Sequence, residues 1–390
     1  MKPTAPEARR TPATSMSGTP YFTGDGSAEL QAQVEAGLER VEALLHDEVV
    51  YADEIARVTA TYLMDAGGKR LRPMLALLTS RFGPDADSDD VIRAGAAVEI
   101  THLASLYHDD VMDEADLRRG VLAAHLNWSN SVAILAGDLL FARSSLMFAA
   151  LGQRAIELQA TTFERLVLGQ MRETVGPKAG EDRIAHYIEV LADKTGSLIA
   201  ASAQFGAICA KAPEELIPAL AEYGEKVGVA FQIADDVIDL SPQSEATGKL
   251  AGTDLRAGVE TLPVLLLERE AGAGDAEAGA LLERIRTRVA GSAKPRQLGA
   301  PAPGTVAGGV EAAPEQTPAA DGATEATGAA SAAEVDAIVE ELRSHAVTGE
   351  TLAEARRWAD EAVAALAPLP EGPAKDALIA FARSVVERDR

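Results

Sequence analysis

The sequence predicts an all-α protein, a single-domain helical bundle, and three observations carry that prediction. Apolar residues recur three and four apart along most of the chain, the spacing of an amphipathic helix. No segment sustains two-residue alternation, so no strand is expected. The apolar content is 47% of 390 residues and is mostly Ala, Leu and Val, with 4% aromatic residues. That mixture favours helix over sheet and suffices for a sizeable core.

The elements follow in chain order. Residues 1–27 are rich in Pro, Thr, Ser and Gly and lack the apolar centre of a signal peptide, so they read as a disordered tail on a cytoplasmic protein. The helical domain is expected over residues 28–390. Its first helix carries the stripe Leu30, Val34, Leu38, Val41, Leu45 up to Val50. Further helices are expected at Pro73–Arg81, Val91–Asp113, Ser131–Leu151, Arg154–Val175, Glu181–Ala210 and Glu214–Leu240. Breakers separate them at Phe82-Gly83-Pro84, Arg119-Gly120, Gly176-Pro177 and Ser241-Pro242. Residues 291–333 are Ala, Gly, Pro, Thr and Glu with hardly a large aliphatic side chain, which predicts a disordered insertion. Helical pattern resumes at Ala333 and runs, with a break at Pro368-Leu369-Pro370, to Val386. No stretch reaches the roughly 20 uninterrupted apolar residues of a membrane span, so no stable membrane insertion is expected.

Charge narrows the function. Lys and Arg number 36 against 60 Asp and Glu, a net charge of -24, which excludes a general nucleic-acid binder. Any anion must be held by a local cation cluster or through metal ions. The single cysteine, Cys209, excludes a disulfide scaffold and reads as a small buried hydrophobe.

Two clusters share the pattern D-D-x-x-D: Asp109-Asp110-Val111-Met112-Asp113 and Asp235-Asp236-Val237-Ile238-Asp239. On a helix the first and last aspartates share a face, with the middle one turned about 100° away. Carboxylates that close repel unless a cation sits between them, and an oxygen-only set suits magnesium bridged to a substrate phosphate. The acidic run Asp85–Asp90 reads differently, as an exposed linker and helix cap, because it follows Gly83-Pro84 and has no apolar partner positions. Both D-D-x-x-D clusters lie instead in strongly apolar helices.

The cationic counterpart is Gly67-Gly68-Lys69-Arg70-Leu71-Arg72-Pro73, placed where Pro73 would open a helix. Arg118-Arg119-Gly120 follows the first aspartate cluster, and Lys194-Thr195 and Gly248-Lys249 add isolated cations. Neither G-K pair has the glycine spacing or the Ser/Thr of a Walker loop. Taken singly each cation reads as surface charge. Together they offer Arg forks and Lys point charges for phosphate oxygens.

These strings, with His102–Gly120, Leu135-Ala136-Gly137-Asp138 and Phe231–Asp239, resemble the trans-polyprenyl diphosphate synthases in order and spacing. The resemblance covers about Leu30 to Glu268 and resumes after the insertion. It implies an all-α isoprenoid synthase fold, with both aspartate motifs facing a central cavity, and a homodimer. It implies that Asp109, Asp113, Asp235 and Asp239 hold Mg2+ on an allylic diphosphate, with Asp110 and Asp236 completing the catalytic motifs. Lys69, Arg72, His102 and Arg119 would bind isopentenyl diphosphate. Arg118, Lys194, Thr195, Gln232 and Lys249 would grip the allylic diphosphate. By position alone His102 reads as a satisfied core histidine. Ser129 departs from the family, which usually has glycine there, and the insertion is atypical.

The implied reaction is head-to-tail condensation: metal-assisted ionisation of the allylic diphosphate, attack by the isopentenyl double bond, and loss of a proton to the released diphosphate. One helical turn rises about 5.4 Å, close to one isoprene unit, so Ser105, Ala104, Thr101 and Val98 before Asp109 act as successive floors. None is bulky, which predicts products of roughly seven to nine units or more, of the kind used for quinone tails. Met147 and Phe148 read first as ordinary core and second as the final stop. The rival readings are a geranylgeranyl diphosphate synthase, a class I terpene cyclase and a non-catalytic subunit of the same fold. Cyclases usually lack the G-G-K-x-x-R block, and a non-catalytic subunit would be expected to have lost aspartates or cations.

Overall fold

The computed structural model describes residues 21–22, 26–50, 53–241, 251–289 and 331–387. Most of the expected tail and insertion, and Lys249, lie outside these residues. Contacts divide the chain into two compact units.

The first unit comprises residues up to 174, then 179–234, then 352 onward. Its helices are α1 (Ser27–Glu48), α2 (Glu54–Asp65), α3 (Leu71–Thr79) and α4 (Asp89–Met112). A two-stranded ribbon follows, β1 (Leu117–Arg118) and β2 (Val121–Leu122), then α5 (Ala124–Asn127), α6 (Asn130–Ala150), α7 (Gln153–Val175), α8 (Arg183–Leu191) and α9 (Ser197–Cys209). Most of α10 (Ile217–Asp239) belongs here also.

Helix α4 is the axis of this unit. Ser88 caps it by accepting from Val91 N, and Asp89 and Asp90 meet the positive end of the helix dipole. From Val91 to Tyr107 it is buried on nearly every side, packed by α1, α3, α6 and α9. The Asp85–Asp90 run behaves as a capped surface turn. Lys211, Arg81 and Arg40 pair with Asp85, Asp87 and Asp89 at 2.6, 2.7 and 2.6 Å.

Two expectations need correction. A strand pair exists, because Arg119 (φ 52°) and Gly120 (φ 76°) both take left-handed conformations and close a two-residue hairpin turn. Helix α2 was missed between Val50 and Pro73; Asp53 caps it at Ala56 N. Helix α6 is, by length and composition, apolar enough to cross a membrane, with Asp138 and Arg143 interrupting it. Its buried face, Ala133, Gly137, Leu140, Met147 and Phe148 among others, is part of the core of this unit. Ser129 stands before α6 because it caps it, accepting from Val132 N at 3.2 Å. Cys209 is partly buried, and burial pushes its thiol up to about 12.

The second unit holds residues 175–178 and 235–351. It contains the end of α10, α11 (Thr253–Arg256), α12 (Leu262–Gly272), α13 (Ala276–Arg284) and α14 (Ala332–Ser344), with the start of α15 (Ala346–Ala365). Helix α14 opens one residue before the expected Ala333, capped by Ser331. The rest of α15 and α16 (Pro373–Ser384) return to the first unit, where the Tyr223 hydroxyl donates to Leu378 O at 2.7 Å.

Candidate active site

Two separate groups of charged side chains gather along α4, from its middle to its C-terminal end. The first gathers around Glu99 and His102. Arg70, just before α3, has a left-handed backbone (φ 48°) and is buried. Its guanidinium forks onto Glu42 through Nε and Nη2, both 2.9 Å, and donates from Nη1 to Glu99 at 3.0 Å. Arg119, thrown back by the hairpin turn, donates to Leu63 O at 2.9 Å and to Gly67 O, and its Nη2 lies 3.9 Å from Glu99. Gly68 packs on both guanidiniums: a Cβ there would lie 3.0 Å from a terminal nitrogen of each.

Arg72 faces the same cluster, and its Nε is buried with no hydrogen-bond partner. Burial lowers Arg72 to about 10 despite Glu99, and burial also lowers Arg119. Burial and the charges of Arg72, Arg119, Arg118 and Arg70 hold the His102 imidazole well below its usual range. A neutral imidazole beside under-compensated guanidiniums is a site prepared for an anion. Lys69 is exposed at the entrance of this loop.

The second group gathers around Asp109, about 10 Å further along the helix by rise from His102. Asp109 is half-buried and Asp113, the C-cap of α4, is exposed. Burial, helped by the neighbouring Asp113 and opposed by Lys194, pushes the Asp109 carboxyl up to about 6. Asp110 is turned inward as helix geometry requires and is fully buried; it accepts from Arg118 Nε at 2.6 Å, while its Oδ2 has no partner. Burial raises the Asp110 carboxyl, with Arg118 opposing. The hairpin therefore sends adjacent arginines to different places, Arg118 to the aspartate motif and Arg119 to the Glu99 cluster.

Lys194 and Thr195 sit in a π turn, Ala192–Gly196, between α8 and α9; the sequence suggested one continuous helix there. Asp193 is held by Arg165 at 2.8 Å and by Arg172. Gly169 of α7 and Gly228 of α10 clamp the turn, since a Cβ on either would come within 2.6 Å of its backbone. Lys194 Nζ reaches Glu173, and Glu173 and Asp109 raise its pKa although burial works to lower it. Gln232 is half-buried on α10.

In the second unit the other aspartate motif ends α10, with Asp235, Asp236 and Asp239 half-buried. Asp239 accepts from Thr253 N at 3.2 Å and Asp254 N at 3.0 Å, and Asp236 accepts from Leu262 N at 3.1 Å. These carboxylates thus also fasten the starts of α11 and α12.

The residues expected to set chain length are all buried: Val98, Thr101, Ala104 and Ser105. Thr101 and Ser105 turn their hydroxyls back onto Ala97 O and His102 O, so neither spends a donor beyond its own helix. Met147 and Phe148 are core residues, and Phe148 stacks on Phe205 at 4.5 Å.

Sequence reasoning passed over Glu42, Glu99, Glu173 and Asp193, and took Arg70 only as one of the three cations of the Gly67–Pro73 string. Glu99 had a legible signal, a lone carboxylate inside the apolar run Ala94–Leu103. Glu173 had none among so many acids.

Among the described residues no three His, Cys, Asp or Glu side chains form a metal cage. The Asp109–Asp113 pair is oxygen-only, and burial with the Asp113 charge beside it raises the Asp109 carboxyl, a donor set that fits a hard cation completed by water and phosphate.

Residues 53–294 match the family model described as polyprenyl synthetase. The nonaprenyl diphosphate synthase of Mycobacterium tuberculosis is 48% identical over 70% of this chain and 80% of its own length. Geranylgeranyl pyrophosphate synthase from Corynebacterium glutamicum, solved with calcium and isoprenyl diphosphate, has a TM-score of 0.73 at 39% identity, covering 94% of this chain and 99% of its own. A decaprenyl diphosphate synthase from Rhodobacter capsulatus has a TM-score of 0.72 at 29% identity, covering 93% and 99%.

Proposed function

Because the chain belongs to the polyprenyl synthetase family, we propose that it is an all-trans polyprenyl diphosphate synthase making long-chain products. The observation that carries this reading is the pair of charge groups on one helix. Such a layout suits two diphosphate substrates held about one short isoprenoid apart. The cluster of Lys69, Arg72, His102 and Arg119 takes isopentenyl diphosphate. Arg118, Lys194, Thr195 and Gln232, with Lys249, take the allylic diphosphate.

Asp109 and Asp113, and in the second motif Asp235 and Asp239, are the proposed magnesium carboxylates. A magnesium ion held there would neutralise the departing diphosphate. Lys194 and Arg118 add fixed positive charge where negative charge develops as the allylic bond breaks. Arg72 and Arg119 hold the second diphosphate so that its double bond meets the cation, and apolar side chains of α4 keep water away. The released diphosphate takes the proton.

A homodimer in the cytoplasm is proposed as well. Support for the dimer comes from the apolar residues that α6 leaves exposed, Leu135 at 65% and Leu146 at 64%. Sedimentation or light scattering of wild type against Leu146→Glu tests it, with dissociation expected. A geranylgeranyl product is the second reading, favoured by the likeness to the Corynebacterium enzyme.

The test is to supply the purified chain alone with isopentenyl diphosphate, each allylic primer and magnesium, and to measure product length. Products of roughly seven to nine units or more support the first reading. A stop at geranylgeranyl supports the second. Turnover by the chain alone excludes a purely regulatory subunit, and EDTA or Asp109→Ala should abolish incorporation.

A further inference from the structure

Resting on the prenyltransferase reading above, we propose that Glu99 and Glu42, acting through Arg70, are positioning residues for isopentenyl diphosphate. They hold the Gly67–Arg72 loop and the Arg119 guanidinium in the arrangement that receives its diphosphate. None of the three touches the substrate in this assignment.

Arg70 is already spoken for. Its forked contact with Glu42 and its bond to Glu99 use Nε and both terminal nitrogens, and Nη2 also reaches Met64 O at 3.3 Å. Burial acts to lower its pKa, yet these two carboxylates carry it above the usual value. It is therefore a neutralised strut and not an anion ligand, although it stands between two ligands in sequence. Its left-handed backbone turns the chain immediately before α3, which places Lys69 on the exposed side and Arg72 on the inner side. Glu99, 2% exposed, lies within ion-pair distance of both guanidiniums, 3.0 Å from Arg70 and 3.9 Å from Arg119. Gly68 seats its backbone on those two guanidiniums, so the loop, the hairpin and α4 meet at Glu99. By contrast Arg72 keeps a buried Nε without a partner, the mark of a group left for a ligand.

The charge effect and the positioning effect have opposite signs, which makes the assignment decidable. If Glu99 only competed with phosphate for guanidinium charge, Glu99→Gln would bind isopentenyl diphosphate more tightly. If it positions them, the same change loosens the loop and weakens binding. The experiment is steady-state kinetics on the full chain, varying each diphosphate in turn, with thermal melts alongside. Glu99→Gln should raise KM for isopentenyl diphosphate roughly tenfold while KM for the allylic diphosphate stays within about twofold. Arg70→Lys keeps the charge and loses the fork, so it should show the same one-sided rise, which keeps the test open if Glu99→Gln does not fold. An unchanged or lowered KM for isopentenyl diphosphate, or an equal rise in both constants, overturns the assignment. Wild-type protein that incorporates no isopentenyl diphosphate overturns the function itself.

Discussion

Replacing Gly169 with Ala tests how Lys194 is aimed. The added methyl would lie 2.6 Å from Lys194 N and 3.0 Å from the backbone carbon of Asp193. Ordinary contact begins at 3.4 Å, so the nearest approach falls short by 0.8 Å. Both atoms are backbone, so no rotamer change relieves the clash and either α7 or the π turn must move. Gly228 packs on the same turn closely enough that an added Cβ there would lie 2.6 Å from Gly196 Cα, so the turn has little room to shift. A misplacement of an ångström costs on the order of 100-fold, so kcat/KM should fall roughly 30- to 100-fold. Stability should change less. Ala gains about 1 kcal/mol over Gly in a helix interior, while overpacking costs about 1–3 kcal/mol. The assay is incorporation of isopentenyl diphosphate at low substrate, with urea unfolding in parallel. Gly279→Ala in α13 is the control: nothing lies within 4 Å of its added methyl, so activity should hold. Wild-type kcat/KM in Gly169→Ala would show that the clamp does not set the lysine.

Other perturbations reach different parts of the site. Unfolded His102 takes up a proton below about pH 6.5 that the folded form refuses, so its share of stability is complete above that pH and shrinks below it. Urea midpoints should therefore drop between pH 7 and 5.5 less steeply in His102→Gln than in wild type, by at most about 1.4 kcal/mol per pH unit. Asp110→Ala removes the charged partner of Arg118 and should cost about 2 kcal/mol of stability and raise KM for the allylic diphosphate, read by melts and kinetics. Ala104→Phe should shorten the products on chromatography, and unchanged lengths would refute the floor assignment.

Much of this protein was decided locally and was therefore open to reading from the chain alone. Helices α1, α4, α6 and α7 follow from apolar spacing and caps such as Ser88 and Ser129, which depend on neighbours a few residues away. The inward turn of Asp110 between Asp109 and Asp113 follows from helix periodicity in the same way. Tertiary structure decided what depends on partners far along the chain. Glu42, Arg70, Glu99 and Arg119 come from four separate segments, and only folding reveals that Arg70 is a strut while Arg72 keeps a free nitrogen. The π turn at Lys194 has no local signature either, because glycines 25 residues before it and 34 after it create the space. Local rules place a residue on a face; packing decides what that face meets.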